Sequence, residues 1–188
     1  MSKFIGKYRI ESNRLKEFDY TYSMWYYITI CTKDKKKWFG DFVSNNFELN
    51  NIGKIVKSYW LEIPQHFQNV EVDNYVIMPN HLHGIILLNN SQNNQQKKPE
   101  SRDVIYNVST TKNNYFSNIS PDKNSLSVVI RSFKAAVKRW CTKNNFNDFF
   151  WQTNYYDHII RNDKDLYRIR KYIEFNPLKW EVDKLYTE

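Results

Sequence analysis

The chain has 188 residues, 41% hydrophobic and 26% charged, the balance of a globular protein with enough chain for one core. No apolar run approaches the ~18 residues that a membrane span needs, Met1 to Arg9 lacks a signal-peptide stretch, and two cysteines, Cys31 and Cys141, are too few for a disulfide framework or a cysteine zinc site. A net charge of +8 with 17% aromatic residues suits phosphates and unpaired bases, although a basic, aromatic-rich globule is equally explained by packing and solubility.

Residues 1–20 are polar and predict an irregular arm. Trp25 to Cys31, rich in β-branched and aromatic residues, predicts a strand. Lys33 to Lys37 is a basic tip, either a solvated turn or a grip on phosphates. From Phe47 to Phe67, Leu49, Ile52, Ile55, Val56, Trp60 and Ile63 fall at helical spacing, with Pro64 near the end. Val70 to Met78 predicts a second strand, Pro79 and Asn80 interrupt it, and His81 to Leu88 predicts a third. Residues 89–124, rich in Asn, Gln, Ser and Lys, read as a flexible insertion within one domain spanning 1–188.

Leu126 to Cys141 is the clearest helix. Leu126, Val129, Ile130, Phe133, Val137 and Trp140 form its apolar stripe, and Arg131, Lys134, Lys138 and Arg139 lie largely off it, sharing one rigid helix as candidate contacts for phosphates. Asn154 to Ile160 predicts a fourth strand. Asn162 then caps a helix whose buried line is Leu166, Ile169 and Ile173, ended by Pro177. This order of elements predicts an α+β fold: two split βαβ halves making an antiparallel sheet with helices on one face.

His81-Leu82-His83 is the sharpest chemical feature. Residues two apart on a strand share a face, so both imidazoles project together as a pair of metal ligands. Alone, the tripeptide fits a pair of core or exposed histidines just as well. Tyr172 and Asn176, four apart, share a helix face and would aim a hydroxyl nucleophile and a neutral oxygen ligand at one spot. The bland alternative is a core-edge tyrosine and a helix-ending asparagine before proline. His158 could support such a site from its strand or hold a structural hydrogen bond.

The stretch Tyr75 to Ile85 (Tyr-Val-Ile-Met-Pro-Asn-His-Leu-His-Gly-Ile) closely resembles the HUH motif of the REP-associated tyrosine transposases, relatives of the single-strand insertion-sequence transposases. Tyr27 to Thr32, Phe150 to Arg161 and Tyr172 to Trp180 resemble further family segments in the same order. The resemblance implies a ferredoxin-like sheet with the histidines on a central strand and the nucleophile on a C-terminal helix. It implies His81, His83 and Asn176 as ligands of magnesium or manganese, and Tyr172 as the catalytic tyrosine. Imidazole ligands favour manganese over magnesium. The implied activity is cleavage and rejoining of single-stranded DNA bearing a hairpin, through a 5′-phosphotyrosine, by a cytoplasmic, nucleoid-associated monomer or homodimer. Two other readings share many of these residues: a rolling-circle initiator or relaxase, and a hairpin-binding protein that does not cut. A metal hydrolase lacks a third His or Asp at metal spacing.

Overall fold

A computed structural model describes residues 3–4, 7–8, 19–44, 46–89 and 125–186. The expected insertion lies outside the described residues apart from Asn89. Elements in chain order are β1 (Lys3–Phe4), β2 (Lys7–Tyr8), β3 (Trp25–Cys31), β4 (Gly40–Val43), β5 (Asn46–Leu49), α1 (Asn51–Leu61), α2 (Ile63–His66), β6 (Val70–Met78), β7 (His81–Leu88), α3 (Leu126–Lys143), β8 (Tyr156–Ile160) and α4 (Asp163–Phe175). A 3-10 helix, Pro177–Val182, follows α4 directly.

The main sheet has the order β6-β7-β3-β8, with every neighbouring pair antiparallel. This is the split βαβ arrangement of a ferredoxin-like fold, and it places β7 and β3 at the centre. The register sets Thr29 opposite His83 and Cys31 opposite His81. Side chains alternate between the faces, so each central strand serves two environments.

One face carries Tyr26, Ile28 and Ile30 of β3 with Leu82 and Ile86 of β7, packed with Ile52, Val56 and Trp60 of α1 and Val129, Ile130, Phe133 and Val137 of α3. Trp60 packs closely on the strand where β7 has Gly84, since a Cβ there would come within 2.3 Å of the indole. The other face is covered by α4. Its Leu166, Ile169 and Ile173 pack on Ile85 and Ile160, and Arg170 pairs with Asp73 of β6 at 2.7 Å. The expectation of helices on one face is thus corrected. Strands with apolar residues on both faces need cover on both, and the last helix supplies the second.

Three local boundaries also differ from expectation. The arm at 1–20 contains a short antiparallel pair, β1 with β2. Residues 47–49 form a hairpin strand, in which Phe47 pairs with Phe42. The helix begins only after Asn50, whose side chain accepts a hydrogen bond from the Gly53 N–H at 3.0 Å. Leu49 fits a helical period and a strand period equally, and the cap decides between them. Pro64 opens α2 rather than closing α1, because proline loses nothing in a helix's first turn.

Candidate active site

β7 follows the buried Asn80 and delivers both imidazoles to the face under α4. His81 and His83 are buried, with ring centroids 4.5 Å apart. Each ring is held by its Nδ1. The His81 Nδ1 lies 2.7 Å from Asn80 Oδ1. The His83 Nδ1 lies 2.7 Å from Tyr27 Oη and 2.8 Å from Thr29 Oγ1, both on β3. With the proton on Nδ1, each ring keeps the Nε2 lone pair free to ligate, the tautomer a metal ligand needs.

Burial holds both rings neutral. The pKa of His81 falls to about 3, mainly by desolvation and further by Lys35. That of His83 also falls to about 3, by desolvation and then by His81, with Asp183 opposing. Neutral imidazole is the ligating form.

α4 is set by its own cap: Asn162 Oδ1 accepts from the Asp165 N–H at 2.9 Å. On its inner side Tyr172 Oη reaches within 3.4 Å of His83 Nε2 and 3.4 Å of Asp183 Oδ2. The phenol's pKa is raised, first by burial and then by Asp183. One turn on, Asn176 is buried, and its Nδ2 donates to Asp183 Oδ2 at 3.0 Å. The 3-10 helix after Pro177 turns the chain back over the site. Trp180 comes 6.0 Å from the His81 ring, and the ligand atoms of Asp183, His81 and His83 all fall within 4.8 Å of one another.

Two buried polar atoms at this spot have no hydrogen-bond partner: His81 Nε2 and Asn176 Oδ1. Leaving such atoms unsatisfied costs about 1–3 kcal/mol each. A divalent cation would satisfy both, and the donor set of imidazole nitrogen, amide oxygen and carboxylate suits one.

The site opens into a cavity of about 930 Å³ lined by Tyr27, Thr29, His83, Tyr172, Asn176 and Asp183 among others. Cations at its wall are Lys35, Arg168, Lys171, Lys179 and Lys184.

The four residues expected to make the chemistry therefore converge. The four α3 cations do not line the cavity. Lys134 donates to the carbonyls of Gln152 and Thr153, and Lys138 to those of Asn147 and Phe149. These two tie the 147–153 segment to the helix, while Arg131 and Arg139 are exposed. His158 Nε2 lies 2.8 Å from Asp165 Oδ2, joining β8 to the first turn of α4, so it braces the helix that carries Tyr172.

Sequence reasoning missed Asp183, Tyr27, Thr29 and Asn80. Tyr27 and Thr29 had a signal, being polar groups two apart on an otherwise apolar strand. Asp183 had none, since nothing local announces where a chain returns after a helix. Its arrival gives the histidines a carboxylate that no sequence spacing offered.

No protein-family model matches the chain. An uncharacterized protein of Haemophilus influenzae is 37% identical over 186 residues, which is 97% of this chain and 96% of that one. Among solved structures, the REP-associated tyrosine transposase bound to a REP hairpin superposes with a TM-score of 0.55 at 17% identity, covering 91% of this chain and 74% of that chain. At that identity the likeness is one of fold.

Proposed function

Because this chain belongs to the family of the Haemophilus influenzae protein and has the fold of a REP-associated tyrosine transposase, we propose that it is a transposase that cuts and rejoins single-stranded DNA. The observation that carries this reading is the convergence of Tyr172 and Asn176, which line one cavity with His83, on two buried ligand atoms that lack partners, Asn176 Oδ1 and, on the ring beside His83, His81 Nε2.

His81, His83 and Asn176 would hold Mg²⁺ or Mn²⁺, whose charge would serve, when bound, to polarise a nonbridging phosphate oxygen. Tyr172 Oη attacks phosphorus in line. The bond from phosphorus to the 3′-oxygen breaks, and a 5′-phosphotyrosine forms. The phenol, with its pKa raised, must lose its proton, and the Asp183 carboxylate at 3.4 Å accepts it, since His83 Nε2, at the same distance, would be taken up by the metal. The departing oxygen becomes a free 3′-hydroxyl. The same hydroxyl, or one from another strand, later attacks the phosphotyrosine and reseals the DNA. The covalent intermediate conserves the bond energy, so no nucleotide cofactor is consumed. Around the site, Arg168, Lys171 and Lys179 take backbone phosphates, and the exposed Arg131 and Arg139 take a hairpin stem farther off. The reaction belongs in the cytoplasm, on nucleoid DNA. Among the described residues no helix is long and apolar enough to cross a membrane.

Incubation with Mn²⁺ and a labelled single strand carrying a hairpin gives a covalent adduct on a denaturing gel. Tyr172→Phe removes it, a loss of at least about 10³-fold, and His81→Ala with His83→Ala does likewise. An adduct surviving Tyr172→Phe removes the tyrosine from the chemistry. Tight hairpin binding without any wild-type adduct replaces cutting by recognition alone.

A further inference from the structure

Among the described residues, the rings of Tyr26, Phe39, Trp60 and Phe149 are fully buried in the core. The cavity at Tyr172 is different. Tyr156, at the start of β8, is 52% exposed, and Phe175, three residues beyond Tyr172 on α4, is 43% exposed. Both line the cavity. Tyr156 stands opposite Thr29 in the register, on the histidine face of the sheet. It meets Tyr27 edge-on at 6.3 Å, which fixes one side of the ring and leaves the rest open. Phe175 has the Lys171 ammonium 5.4 Å from its centroid. Neither ring is needed to close the core, and leaving apolar surface in water forfeits the gain from burying it.

We propose that Tyr156 and Phe175 are stacking platforms for the unpaired bases that flank the phosphate attacked by Tyr172. The proposal rests on the reading of the site as one that acts on single-stranded DNA, and it identifies how the strand is held there. A base inside a duplex already has both faces stacked and gains nothing from a ring. An unpaired base has a free face and gains regardless of its identity. The surrounding charge suits the backbone that such bases bring. Arg168 and Lys171 are engaged with Asp165 and Glu174 at 2.6 and 2.7 Å, but as exposed pairs within α4. Such pairs are worth little and exchange readily for phosphate oxygens. The volume of about 930 Å³ is far more than one phosphate fills.

The test is fluorescence anisotropy of the full chain in EDTA, with labelled oligothymidine, its duplex with oligoadenine, and an abasic strand of equal length. Wild type is expected to prefer oligothymidine to both others. Each ring replaced by alanine (Y156A, F175A) weakens oligothymidine binding about tenfold and leaves abasic binding unchanged. Y156F and F175Y keep wild-type affinity, which separates stacking from misfolding. Equal losses on the abasic strand, no loss in the alanine variants, or no base preference in wild type each overturn the proposal. Adduct formation by Tyr172, assayed in parallel, separates the two readings. Base-dependent binding without an adduct sinks the nuclease and keeps the platforms, and an adduct with ring-independent binding does the reverse.

Discussion

Beneath α1 and α3, the central strands present Ile28, Ile30, Leu82 and Ile86 to a closed apolar layer in which Trp60 lies against Gly84. Beneath α4, residues one step along the same strands are Tyr27, Thr29, His81 and His83, beside buried polar atoms that lack partners. The first face is closely packed: its one partnerless buried polar atom among the described residues is the indole Nε1 of Trp60, and its energetics are those of packing. The second is left incomplete, at a cost that the first must offset. Stability and chemistry are thereby separated by one residue of strand register, and substitutions should sort by face.

The largest effect expected from sharpening this contrast is on the packed face. Trp60→Ala should cost about 3–5 kcal/mol in urea unfolding, from lost burial and the cavity left beside Gly84. A loss under about 1 kcal/mol would mean that the layer is not the stabilising one. Next comes acid. His81 and His83 titrate near 3 in the fold against 6.5 when unfolded. Between those values the unfolded chain binds protons that the folded chain refuses, so stability present above pH 6.5 drains as pH falls towards 3. From pH 6.5 to 5.5 the metal-free protein should lose about 2 kcal/mol, and a flat melting temperature over that range would show that the histidines are not buried neutral.

Smaller effects probe the site face alone. Thr29→Val removes one of two hydroxyls on the His83 Nδ1 while keeping its shape. Manganese affinity, read by calorimetry, should weaken about tenfold with the melting temperature nearly unchanged. Smallest is His81→Leu. It deletes the unpartnered Nε2 but strips Asn80 Oδ1 of its bond to Nδ1, so unfolding free energy should move by less than about 1 kcal/mol either way while metal binding disappears. A loss as large as that of Trp60→Ala would erase the distinction between the faces.

How much of this was legible beforehand follows from the range of each interaction. Strand periodicity alone placed His81 and His83 on one face and bounded β3, β6 and β7 as observed, because alternation is a property of two bonds of backbone. Helical spacing likewise put Tyr172 and Asn176 on one side of α4. The hairpin at 40–49 was hidden because Leu49 satisfies both periods, and the residues that break the tie are a capping asparagine and a cross-strand phenylalanine. The local sequence thus determined which side chains travel together. Only the tertiary structure decided what they meet: that α4 covers the second face, that His158 is spent on Asp165, that Lys134 and Lys138 are spent on carbonyls, and that Asp183 returns to the histidines. These are contacts between residues far apart in sequence. They depend on where whole elements pack, and no short-range pattern encodes that.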